Sequence, residues 1–216
     1  MFNIDPMEMA LRVPVVLLAL TVHEFAHAYS AYRLGDPTAF RLGRCSLNPL
    51  VHLDPLGTIC LMFAPIGWAK PVPVNPLNLK NPGRDDIIIS AAGPASNLVQ
   101  ALIYAVILRI VIAMAGSLSD HAYKAVGLLC IFGILINVGL AVFNLIPAFP
   151  LDGFHVFSNL AKGESRQRFL ETARYGPFII LALVLLNRTE ANPLGRMISP
   201  VADFLMGTVA GMGSDP

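Results

Sequence analysis

Residues His23-Glu24-Phe25-Ala26-His27 form an HExxH sequence. On an α-helix, residues four apart share a face, so the two imidazoles can hold one Zn²⁺ between them. The glutamate between them can reach a water at the metal and take its proton. Zinc acidifies such a water and polarises a carbonyl, so the predicted chemistry is hydrolysis of a peptide bond, with Glu24 as its base. The surroundings strengthen this reading. Three ionisable side chains inside an apolar stretch cost roughly several kcal/mol in total even on a lenient insertion scale. Histidines that merely close a helix would not explain the glutamate.

A catalytic zinc site uses three protein ligands and keeps one position open. Asp152 is the predicted third ligand. It lies in Asn144-Leu-Ile-Pro-Ala-Phe-Pro-Leu-Asp-Gly153, where Pro147 and Pro150 cannot continue a helix. The expectation is an extended, proline-fixed segment that presents the carboxylate, with Gly153 allowing a sharp turn. The competing expectation is that Asp152 only closes a helix in a polar turn. His52 is a spare candidate ligand, read instead as a satisfied loop histidine. Asn97, Asn137 and Asn144 place amides in apolar stretches. Asn97 and Asn144 are candidates for contact with substrate or a developing oxyanion, against a packing role between helices. Asn137 is read as packing. His121 and His155 receive no role.

The elements that must carry these residues are membrane helices. The chain has 216 residues, 55% hydrophobic and 13% charged, with a mean hydropathy of +0.64. Soluble domains carry about a quarter charged residues, so the predicted class is an integral membrane protein. The net charge of +1 excludes the basic stripe that nucleic-acid binding requires. Cys45, Cys60 and Cys130 lack metal-type spacing and read as reduced thiols. A crossing helix needs about 20 apolar residues. The predicted spans are 7–32, 87–116 and 122–146, followed by two weaker ones at 178–186 and 194–213, about five in all. Asp5 and Glu8 argue against a cleavable signal peptide. Between the first two spans lies a Pro-, Gly- and Asn-rich region, 45–80. Its apolar patch, 56–68, is too short to cross, so a re-entrant segment or hairpin is expected. Residues 56–75 could pair with an unwound substrate as an added strand, or could simply plug the site. Residues 158–174 read as a surface helix or loop, and 156–216 as peripheral C-terminal helices around a single domain whose core is 7–155.

Lys and Arg placement predicts orientation. Arg33, Arg41, Arg44, Lys70, Lys80 and Arg84 lie between the first two spans, and Lys162, Arg166, Arg168 and Arg174 follow the third. Residues 117–121 contain neither Lys nor Arg. Both basic regions are expected to face the cytoplasm, with the N-terminus outside.

Taken together, these residues resemble the site-2 proteases, which are intramembrane zinc metalloproteases. The resemblance spans about residues 20–155. It is carried by the HEFAH sequence, Leu34-Gly-Asp-Pro-Thr38, Asn48-Pro-Leu-Val-His-Leu-Asp-Pro-Leu-Gly57, Gly67-Trp-Ala-Lys-Pro-Val-Pro-Val-Asn-Pro76, Ala92-Gly-Pro-Ala-Ser-Asn97, and Phe143-Asn-Leu-Ile-Pro147 leading to Leu151-Asp-Gly153. It looks like the short prokaryotic form without PDZ or CBS domains. The resemblance implies one Zn²⁺ held by His23, His27 and Asp152, Glu24 as catalytic base, and Asn97 and Asn144 near the active site. It implies transmembrane protein substrates and a place in the prokaryotic cytoplasmic membrane. A catalytically silent adaptor of the same fold should have lost Glu24 or a ligand, and none is missing. A metal transporter should spread His and acidic residues over several spans, and here they concentrate on one helix and one turn.

Overall fold

The computed structural model describes residues 6–54, 57 and 69–213. The elements are α-helices, with 3-10 turns between them. They are α1 (Pro6–Arg33), α2 (Thr38–Arg41), α3 (Pro82–Ala113), α4 (Asp120–Asn144), α5 (Asp152–Leu160), α6 (Gly163–Glu171), α7 (Gly176–Leu186) and α8 (Pro193–Phe204). Among the described residues there is no β-strand, only an isolated antiparallel bridge between Leu53 and Ala69. Four helical stretches are long and apolar enough to cross a membrane: Glu8–Arg33, Pro82–Ala113, Asp120–Asn144 and Gly163–Leu186. In lipid every backbone polar group must be satisfied within the chain, and long helices do this. Their outward residues are apolar, among them Leu18, Val99, Ile103, Ile110 and Leu185. The protein is thus an all-α, multi-pass membrane protein.

Some boundaries differ from the sequence expectation. Helix α3 starts at Pro82, well before 87, because proline suits the first helical position and Asp85 caps the turn by accepting from Asn81 N at 2.9 Å. Residues 163–171, expected at the surface, join 176–186 through a 3-10 turn into one 24-residue helical run. The final stretch, 194–213, is a 12-residue helix continued by a π turn over Leu205–Val209. The apolar patch 56–68 lies almost wholly outside the described residues, and with it most of the expected re-entrant segment and the strand-pairing expectation. On its two flanks Leu53 bridges to Ala69, and Lys70 N donates to His52 O at 2.8 Å.

The chain divides into two compact units. One comprises Met1–Ala19, Asn97–Phe143 and Ile180–Pro216. Its core joins Ala101, Ala105 and Leu108 of α3 to Cys130, Ile134 and Val138 of α4, with Leu205 and Ala210. Spacings of three and four residues put each set on one helical face. The fit is close: a Cβ on Gly133 would lie 2.3 Å from the Tyr104 ring. The other unit comprises Leu20–Ser96 and Asn144–Ile179, and it holds the HEFAH residues and Asp152. Its small apolar core is Ala31, Leu79 and Ile89, with Leu34 and Val74 against it. A polar knot supplements that core. The fully buried Asp36 carboxylate accepts from Thr38 N at 3.1 Å, Asn75 N at 2.7 Å and Asn78 Nδ2 at 2.7 Å. It thereby ties the turn after α1 to the segment that enters α3.

Candidate metal centre

His23 and His27 are both buried on α1, one helical turn apart. Their Nε2 atoms approach to 3.0 Å. His27 Nδ1 lies 2.7 Å from Ile89 O on α3. A carbonyl only accepts, so Nδ1 carries the proton and Nε2 keeps its lone pair. This is the outer contact that orients a metal-binding imidazole.

The third donor comes from more than a hundred residues further along. Asp152 Oδ2 lies 3.3 Å from His23 Nε2, and Oδ1 lies 3.3 Å from His27 Nε2. The manner of delivery corrects the sequence expectation. Asp152 is not on an extended strand or in a turn; it is the first residue of α5. The extended residue is Leu151, at φ −76 and ψ 157. A carboxylate in the first turn of a helix sits at the positive end of the helix dipole, so the local structure favours the ionised ligand. Burial pushes the Asp152 carboxyl upward, but the proximity of His23 and His27 outweighs it and holds it well below the usual carboxylate range. The role expected of Gly153 also changes. It is helical, and a Cβ there would meet Leu145 O at 2.3 Å and Ile146 O at 2.5 Å. Glycine is needed because the start of α5 packs against backbone, not because the chain turns left-handed.

The donor set fits zinc. Ligands about 2.0–2.1 Å from a tetrahedral zinc stand roughly 3.3 Å apart; here the two Nε2 atoms are 3.0 Å apart and each lies 3.3 Å from one of the two Asp152 oxygens. Asp152 Oδ2 is buried and accepts no well-aligned hydrogen bond, so its lone pairs await a cation. Gly93 of α3 leaves the necessary space. A Cβ on it would stand 2.4 Å from His27 Nε2 and 2.6 Å from His23 Nε2. Only a residue without a side chain keeps that volume open. Two imidazole nitrogens and a carboxylate are the donor types that suit a metal able to polarise carbonyls and water.

Glu24 is buried between the two histidines in sequence, and the field of its carboxylate reaches both His27 and Arg44. Sequence reasoning gave Arg44 only a topological part. The structure buries it and makes it a clasp: Nη1 donates to Pro71 O at 3.3 Å and Nη2 donates to Lys70 O. Nη2 also lies 3.5 Å from His52 Nδ1. His52 Nε2 is 2.7 Å from Ser46 O and so donates there. His52 is therefore the satisfied loop histidine of the sequence reading and stands outside the three-donor group. No local signal marked Arg44. Gly93 was marked as part of the Ala92–Asn97 motif that carries the resemblance, without a role of its own.

Asn97 is fully buried in the other unit. Its amide nitrogen donates to Ala19 O at 3.3 Å and to Asn137 Oδ1 at 2.9 Å, and Asn137 in turn donates to Gly133 O at 2.9 Å. Both amide hydrogens of Asn97 are thus spent on the protein. Asn144, the last residue of α4, is half-buried.

Comparison with known proteins agrees with this chemistry. The model of Peptidase family M50 matches residues 108–186, the stretch that contains Asp152. The chain is 39% identical over 188 residues to "Putative zinc metalloprotease YwhC" of Bacillus subtilis strain 168, covering 86% of this chain and 82% of the relative. It is 31% identical over 175 residues to "Putative zinc metalloprotease Rip2" of Mycolicibacterium smegmatis, and 28% identical over 179 residues to the protein of the same name in Mycobacterium tuberculosis H37Rv. These matches cover 79% and 80% of this chain but 64% and 65% of the two relatives, just under two thirds of their length. No solved structure matches the chain.

Proposed function

The chain belongs to peptidase family M50, the site-2 proteases, and from that premise we propose that it cuts peptide bonds in or beside the membrane-spanning segments of other membrane proteins, near the cytoplasmic face. It is a membrane metalloprotease, a hydrolase acting on peptides with zinc as cofactor. The observation that most directly supports the finer reading is the three-donor group on and beside an apolar, membrane-length helix.

In this reading His23, His27 and Asp152 hold one zinc per chain. The zinc supplies Lewis acidity toward water and the scissile carbonyl. Glu24 accepts a proton from the attacking water and returns it to the leaving amine nitrogen, the ordinary exchange of a general base turned acid. The Ile89 carbonyl fixes the tautomer of His27, so its Nε2 never needs to lose a proton first. Arg44 keeps positive charge near Glu24 and holds the chain at Lys70 and Pro71. A transmembrane substrate must unwind for water to reach its backbone, and its developing oxyanion then needs a donor. Asn144 keeps that candidate role, whereas the spent hydrogens of Asn97 favour packing. The membrane is the cytoplasmic membrane of a prokaryote. Six basic residues at and between the facing ends of the first two spans, against none in 117–121, orient the site toward the cytoplasm.

The test is cleavage of a transmembrane model substrate by reconstituted protein, with zinc measured per chain. Glu24→Gln should keep one zinc and lose cleavage by about 10²–10⁴-fold, the weight of a general base. Full cleavage by a zinc-loaded Glu24→Gln protein would overturn the assignment.

A further inference from the structure

The end of α1 and the start of α3 flank an open surface pocket of about 280 Å³, lined by Arg33, Gly35, Lys80, Asn81, Arg84 and Asp85 among others, with the three basic side chains exposed. It lies in the unit containing Leu20–Ser96 and is separate from the metal ligands. Three cations and one carboxylate face it. The carboxylate is already committed, since Asp85 accepts from Asn81 N at 2.9 Å. Arg33 donates to Tyr29 OH at 2.9 Å, a neutral partner. Among the described residues, the side chains of Lys80 and Arg84 form neither a hydrogen bond nor an ion pair.

Helix stabilisation does not explain this arrangement. Arg84 sits in the first turn of α3 and Lys80 just before it, where the helix dipole disfavours cations. Exposed cations gathered around one concave surface create a positive potential that attracts an anion and that an entering anion neutralises. The volume exceeds that of a water molecule, ~30 Å³, roughly ninefold, which accommodates a phosphate with its ester oxygens. The depth is also specific. Arg33 closes one candidate span and Pro82 opens the next, so the cavity opens at the level of a membrane–water interface. Basic pockets between membrane helices at that level take lipid headgroups.

We propose that this cavity binds a phosphate group, supplied by the headgroup of an anionic phospholipid, through Arg33, Lys80 and Arg84. The site is independent of the proteolytic reading and would persist in a protein unable to cleave. It would fix the joint between the first two spans to one leaflet of the bilayer, beside the helix that carries the metal ligands.

The experiment is native mass spectrometry of the full chain in detergent, titrated with phosphatidylglycerol, phosphatidylcholine and inorganic phosphate. Wild type should bind phosphatidylglycerol at least tenfold more tightly than phosphatidylcholine. Lys80→Gln and Arg84→Gln should each weaken phosphatidylglycerol roughly fivefold, the weight of one basic residue at an anionic surface. Arg109→Gln, which removes a cation that donates to Val209 O, should leave it unchanged. Zinc per chain should stay at the wild-type value in all three, which separates this site from the metal centre. Equal binding of the two lipids, or unweakened binding by both Lys80→Gln and Arg84→Gln, would overturn the proposal. Competition by millimolar inorganic phosphate, lost in the same variants, would keep the anion site but overturn the lipid as its source.

Discussion

Replacing Gly93 with alanine should weaken zinc binding at least ~10–100-fold while leaving the helices folded. The new Cβ would lie 2.4 Å from His27 Nε2 and 2.6 Å from both Nε2 and Cε1 of His23. Ordinary contact between heavy atoms begins near ~3.5 Å, so something must retreat by about 1 Å. The His27 ring cannot easily do so. Its Nδ1 is bound at 2.7 Å to Ile89 O, which is one turn earlier on the same helix as Gly93. Moving the ring off the Cβ therefore stretches that bond. Metal sites tolerate ligand displacements of only about 0.2 Å, and losing an outer contact alone weakens metal affinity by roughly 10–100-fold. A loss of at least ~10–100-fold, or about 1.4–2.8 kcal/mol, is thus a floor. Alanine is the better helix former by roughly 0.5–1 kcal/mol, so a weaker helix could not explain the loss. The assay is zinc per chain after equilibration with a chelator of known affinity, beside circular dichroism in detergent. Gly127→Ala is the control, since nothing lies within 4 Å of a Cβ there. Zinc affinity within threefold of wild type in a folded Gly93→Ala protein would refute the placement of the two rings against α3.

Three further outcomes are expected. Asp152→Ala removes a direct ligand, so its zinc affinity should fall by more than the ~100-fold typical of an outer contact; equal zinc in the variant and wild type would exclude Asp152. Gly153→Ala forces a Cβ against two backbone carbonyls and should cost about 1–3 kcal/mol in thermal unfolding, with weakened zinc binding, as overpacking does. Asp36→Asn should destabilise the protein by about 1–3 kcal/mol at neutral pH, because an amide cannot replace a carboxylate that accepts on both oxygens. Burial pushes Asp36 upward, but bonds from Thr38, Asn78 and Asn75 outweigh it and hold the carboxyl below its ordinary value. Its stabilisation is therefore present above the unfolded value near ~3.9 and is lost as the pH falls through the lower folded value. The gap between Asp36→Asn and wild type should narrow below about pH 4, and a gap independent of pH would contradict the charged knot.

Local periodicity and solvent preference account for the part of this protein that is legible without a fold. Apolar runs of sufficient length specify helices in a membrane, whatever their neighbours, because lipid leaves the backbone no other partner. The four-residue spacing of His23 and His27 puts two donors on one helical face before any tertiary contact exists. The cost of placing them in that environment marks them as candidate functional residues. Asp152 was legible as a residue but not in its setting: whether it stands on a strand, in a turn or at a helix start depends on how the chain folds back after Pro150. What only the tertiary structure decided lies across distant segments. Gly93 presses α3 against the imidazoles, Ile89 sets the tautomer of His27, and Arg44 buckles Lys70 and Pro71 beside His52. Packing contacts of this kind carry no local period, because they are fixed by which backbones approach closely and by which buried donors must find acceptors once they do.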